Sequence, residues 1–131
     1  MIPLVPIAAF YTGLLAVLLL VLALRIIRLR WKLRVGIGDG GDRMMLRAVR
    51  AHGNAAEYVP ITLLLLLAVE LNHGNPLLLH ACGVVFVGSR VLHAVGLTRS
   101  GGPSWPRTAG TLGTMSVVIV LAVTAIASFL R

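Results

Sequence analysis

Residues Pro3 to Leu24, PLVPIAAFYTGLLAVLLLVLAL, pass 22 positions without a charged side chain. At ~1.5 Å of rise per residue, a helix of that length covers the ~30 Å hydrocarbon core of a bilayer. The run is too long for a signal-peptide core, has no basic residue before it and shows no clear cleavage site, so it reads as a retained span. Three more apolar runs follow, at about 44–71, 77–97 and 108–130. Hydrophobic residues make up 58% of the 131 positions and charged residues 12%, a balance foreign to ordinary soluble domains. Lipid offers backbone groups no hydrogen-bond partner, so each run must be a helix. The expectation is an all-α integral membrane protein, a four-transmembrane-helix bundle forming one domain over 1–131, with helices at about 3–28, 44–72, 77–98 and 107–130.

Twelve Lys and Arg against four Asp and Glu give a formal charge of +8. In a soluble domain that excess would point to nucleic acid, but its placement here excludes such a partner. Eight cations lie between Arg25 and Arg50, and three more are Arg90, Arg99 and Arg107. Under the positive-inside rule the first and third connections face the cytoplasm and both termini face the opposite side. The basic run Arg25 to Arg34 suits membrane lipid headgroups.

The first connection, RLRWKLRVGIGDGGDR, has the composition of a flexible loop, and no Gly-Lys-Ser or Gly-Lys-Thr follows to make it a phosphate cradle. In the second, NHGNP, Pro76 is placed to start a helix. The third, TRSGGPSWPR, is rich in helix breakers, with Trp105 suited to an interface. Gly83, Gly88, Gly110 and Gly113 would permit close helix approach. Tyr11 and Thr12 read as packing residues, and His80 as a hydrogen-bonding group across helices. Cys82 stands alone, which excludes an intrachain disulfide, and no two His share metal-ligand spacing on one helix face.

The second apolar run decides where function lies. Between Glu57 and Glu70 stand only 12 uncharged residues, ~18 Å of helix, too short to cross. With Glu70 at the far surface, Glu57 is expected ~10 Å beneath the cytoplasmic one, and Arg90 on the antiparallel third helix at ~9 Å. The spacing predicts that these two opposite charges meet. Arg47, Arg50, Asn54 and Glu57 follow the i, i+3, i+7, i+10 helical pattern and share a face, with His52 on the other side. Arg90 and His93, three apart, share a face of the third helix. A lone structural ion pair would need one Arg, whereas Arg50, Arg99, Arg107, Asn54 and His93 crowd the same end. That surplus points to a polar pocket for a ligand carrying carboxylates and one cation, since Arg binds carboxylates bidentately and Glu57 suits an ammonium.

The stretch RAVRAHGNAAEYVP, with RIIRLRWK before it and GSRVLHAVG, TRS and PR after it, resembles the membrane-associated proteins in eicosanoid and glutathione metabolism, the MAPEG family. The resemblance covers nearly the whole chain, and the VGIGDGGD loop is similar to that of bacterial members, implying an inner-membrane location. It implies a homotrimer that binds glutathione between subunits near the cytoplasmic face. On it, Arg50, Asn54, Glu57 and Tyr58 match glutathione contacts and His93 a contact on the third helix. Arg28, with Arg30 as the alternative, matches a cation lent by the neighbouring subunit. Arg107 matches the Arg that stabilises the glutathione thiolate, and Arg90 joins the cofactor-binding set from the depth reading. Leu97 stands where eicosanoid-processing members often have Tyr, and Gly53 where some have a further Arg, so prostaglandin and leukotriene chemistry are discounted. The implied activity is glutathione transferase or peroxidase chemistry on a hydrophobic or lipid-like second substrate. Two alternatives stand beside it: a non-catalytic binding or scaffold protein, and a small proton-coupled transporter using Glu57.

Overall fold

Four helices build the chain: α1 (Pro6–Leu33), α2 (Arg43–Leu71), α3 (Pro76–Arg99) and α4 (Trp105–Phe129). They are seen in a computed structural model that describes residues 4–130, so the expected first-helix start at residue 3 lies outside the described residues. All four are long and apolar enough to cross a membrane.

The helix ends follow local chemistry. Asp42 caps α2 by accepting the Met45 N–H at 2.8 Å, and Asn75 caps α3 by accepting the Leu77 N–H at 2.8 Å, with Pro76 at the first helical position. α1 continues to Leu33, past the expected end near 28. Arg28, Leu29, Arg30, Lys32 and Leu33 are good helix formers, and cations are favourable at a helix C-terminus. The helix stops at Arg34, in the left-handed conformation at φ 54°, while the Arg30 guanidinium donates to the carbonyls of Val35 (3.3 Å) and Gly36 (2.7 Å). Charge in this run marks the end of the hydrocarbon and not the end of the helix. Arg30, the alternative for the lent cation, is therefore engaged in shaping its own loop.

The N-terminus of α1 is completed from a distance. Val5 offers no side-chain cap, and instead the Glu70 carboxylate, near the end of α2, accepts the N–H groups of Ile7 at 2.9 Å and Ala8 at 2.6 Å. Glu70 thus satisfies two first-turn donors and places negative charge at the positive end of the helix dipole.

α2 and α3 pack on each other and on both outer helices, whereas the backbones of α1 and α4 stay apart among the described residues. The core between them holds Leu15, Val69, Leu79, Phe86 and Leu121. α3 and α4 approach closely at Gly110, where a Cβ would lie 2.5 Å from the Ser89 carbonyl oxygen and 2.7 Å from the His93 nitrogen. Gly83 faces the Tyr11 ring, while Gly88 faces open space and permits no special approach. The Tyr11 hydroxyl lies 3.1 Å from His80 Nδ1 and donates to the His80 carbonyl at 3.1 Å, which gives His80 its interhelical link. Outward faces carry Phe10, Val17 and Leu20 on α1 and Ile119, Val123 and Ile126 on α4, as a lipid-facing surface requires.

Two substitutions read these contacts separately. Glu70→Ala removes the shared cap and is expected to cost about 1–2 kcal/mol, seen as a lower unfolding temperature of the solubilised protein. Gly110→Ala forces backbone apart on two helices and is expected to cost more; a melting temperature equal to that of the native chain would contradict the α3–α4 contact.

Candidate functional site

The phase of α2 determines which polar side chains meet. Met45, Ala48, Ala51, Ala55, Val59 and Thr62 are its buried residues in this half. At ~100° per residue they form one stripe, and Glu57 falls roughly 180° from its centre. Small side chains on that stripe let α3 close against α2, so the polar face turns away from α3. Glu57 and Arg50 are exposed, Asn54 and Tyr58 are half-buried at the border of the stripe, and His52 is half-buried on the far side. The expected meeting of Glu57 with Arg90 therefore does not occur within the chain. Depth was compatible with contact, but the direction of the side chain was not.

Arg90 is 3% exposed and takes neutral partners instead. Its Nη1 donates to Asn54 Oδ1 at 2.9 Å and its Nη2 to the Gly110 carbonyl at 3.2 Å, while the guanidinium carbon stands 5.4 Å from the Tyr58 ring centroid. One α3 cation thereby joins α2 to α4, and its Nε is buried without a partner. The carbonyl at Gly110 also accepts the buried Thr114 hydroxyl at 2.8 Å. His93, buried one turn beyond Arg90, packs its backbone and Cβ against Gly110.

A separate cavity of about 580 Å³ opens at the end of the bundle that holds the third connection. Four arginines line it: Arg43, Arg47 and Arg50 from α2, and Arg107 from the first turn of α4. Leu46 and Leu97 supply apolar wall, and the loop Ser100–Gly102 supplies the floor. Gly96 lets α4 start close to α3, because a Cβ there would lie 2.7 Å from the Arg107 nitrogen. The Gly102 N–H donates to Ser100 Oγ at 3.2 Å, which tightens the floor.

Among the expected site residues, this cavity brings together Arg50 and Arg107. Asn54, Tyr58, Arg90 and His93 belong to the buried network, Glu57 to the outward face, and Arg28 is exposed on α1 away from the cavity wall. Arg43 is the cavity residue that sequence reasoning missed. A signal for it is present, since Arg43 lies one turn before Arg47 on the same face, but its place at the end of the Gly-Asp-rich first connection hides it.

The MAPEG family model matches residues 8–127. The chain is also similar to the inner membrane protein YecN of Escherichia coli, at 40% identity over 90 residues covering 69% of each chain, with the same figures in a second strain.

The Arg90 network predicts a structural penalty for losing Asn54. Asn54→Leu leaves a buried guanidinium short of an acceptor and is expected to lower stability by about 2–4 kcal/mol. Thermal unfolding without any ligand reads this directly, and an unchanged transition would show that Asn54 does not hold Arg90.

Proposed function

The chain belongs to the MAPEG family, and on that premise we propose that it is a glutathione-dependent transferase or peroxidase of the bacterial inner membrane, acting on hydrophobic electrophiles or lipid hydroperoxides. The observation that carries the reading is the arginine-lined cavity, in which Arg50 and Arg107 stand on facing elements. Glutathione has two carboxylates, an ammonium and a thiol, and supplies the nucleophilic sulfur when bound. The donor set fits it: guanidiniums pair with carboxylates bidentately, and a volume of about 580 Å³ lies within the usual range for small-molecule sites.

Arg50 holds a carboxylate at the cavity wall. Arg107 places positive charge beside the sulfur, which favours the thiolate over the thiol. Leu46 and Leu97 give the apolar surface against which a lipid-like substrate approaches. Glu57 is the acceptor for the ammonium, and it acts from a neighbouring surface because it points out of its own subunit. An exposed Glu57 and Arg50 on a membrane-spanning helix are costly beside lipid. Assembly as a homotrimer covers them and lets the partner subunit's Arg28 enter the site. Loops one and three, flanked by the helix ends that carry most of the cations, face the cytoplasm in this arrangement.

A second reading, binding without chemistry, is favoured by Leu97, which gives the cavity wall no hydroxyl toward the sulfur. Calorimetry and ultraviolet thiolate absorbance separate the two. Glutathione is expected to bind the native protein as thiolate, Arg50→Ala and Glu57→Gln to weaken binding about tenfold or more, and Arg107→Ala to keep binding within a fewfold while losing the thiolate signal. Equal affinity in the native protein, Arg50→Ala and Glu57→Gln would overturn the site. Binding without thiolate, and without conjugation of a generic electrophile, would leave the non-catalytic reading.

A further inference from the structure

The cavity holds more positive charge than glutathione uses. Resting on the function proposed above, its two carboxylates and its thiolate take Arg50, the partner subunit's Arg28 and Arg107. Arg43 and Arg47 remain, one helical turn apart on α2 at the outer rim, and both line the cavity.

The chain's own acids do not neutralise them. Of four Asp and Glu, three accept backbone N–H groups: Asp39 that of Gly41, Asp42 that of Met45, and Glu70 those of Ile7 and Ala8. The fourth, Glu57, lies ten residues beyond Arg47 along the same helix, ~15 Å away. The rim is also shaped around its cation. A Cβ on Gly101 would come within 3.1 Å of Arg47 Nη2 and 3.3 Å of its Nε, so the bare backbone at this position leaves room for the guanidinium. Beside the two cations the wall turns apolar, through Leu46, itself exposed on α2, and Leu97.

Paired guanidiniums next to an apolar wall fit a molecule with an anionic head and a hydrocarbon body. We infer that Arg43 and Arg47 hold the carboxylate or phosphate head group of the second substrate, an anionic amphiphile whose chain passes Leu46 and Leu97 toward the sulfur held at Arg107. The head group sets which lipid-like molecules are accepted, because an uncharged amphiphile of equal length leaves both arginines without a partner.

Binding in nanodiscs of zwitterionic lipid tests this without relying on turnover. The probes are a fluorescent long-chain carboxylic acid, its methyl ester and the corresponding alkyl phosphate, at alkaline pH where the acid is ionised. The native protein is expected to bind the acid and the phosphate at least about fivefold more tightly than the ester. The double variant Arg43→Gln/Arg47→Gln is expected to bring all three within about twofold. Gly101→Leu, which displaces the Arg47 guanidinium without altering a charge, is expected to narrow the gap in the same direction. Equal binding of all three probes by the native protein, or a gap between anionic probe and ester that survives the double variant, overturns the inference. Glutathione affinity, measured alongside, is expected to stay unchanged in both variants. Its absence from the native protein would refute the function proposed above while the acid-to-ester ratio still reads the rim. Preference for phosphate alone would identify the head group.

Discussion

A single buried guanidinium organises the half of this bundle that carries the arginine-lined cavity. Arg90 leaves α3 and reaches α2 through Asn54 and α4 through the Gly110 carbonyl. Neither partner is a carboxylate, so the charge is offset by dipoles and by the face of Tyr58. The arrangement requires that α4 come close enough to present a main-chain oxygen. Gly110 permits this, and the same close approach positions the start of α4, and with it Arg107, at the cavity wall. Packing and site geometry therefore share one cause.

Acid is scarce in this chain, and its allotment explains much of the electrostatics. Three of the four carboxylates satisfy backbone donors at two helix starts and one loop, work that Ser or Thr performs elsewhere. The remaining Glu57 is exposed on the outward face of α2. Among the described residues no carboxylate pairs with the arginines of α2, so the cavity keeps its positive potential. A cavity with this potential attracts anions before any specific contact forms.

Much of the fold was legible because length arithmetic in a bilayer is unforgiving. Uncharged runs gave the spans, Pro76 gave the start of α3, and the Gly and Pro pairs gave the third connection. The end of α1 is not legible from charge, because Arg28, Arg30 and Lys32 continue the helix to Leu33. The Glu57–Arg90 contact failed for a different reason. Counting residues fixes depth along the membrane normal, but not the azimuth of one helix against another. That azimuth was readable in part: Ala48, Ala51, Ala55 and Val59 form a small-residue stripe, and such a stripe is where a neighbouring helix comes nearest. Weighing it against the polar face would have sent Glu57 outward. Asn54 drew attention as a ligand contact, and only the three-dimensional packing shows it holding Arg90.

The bond between Glu70 and the start of α1 makes the first helix depend on the length of the second. The first helix enters the bilayer with no cap of its own, and the carboxylate that completes it lies more than sixty residues later in the chain. The carboxylate ties the end of α2 to the start of α1 as a hairpin. The first turn of α1 is therefore complete only in a chain whose second helix extends as far as Glu70.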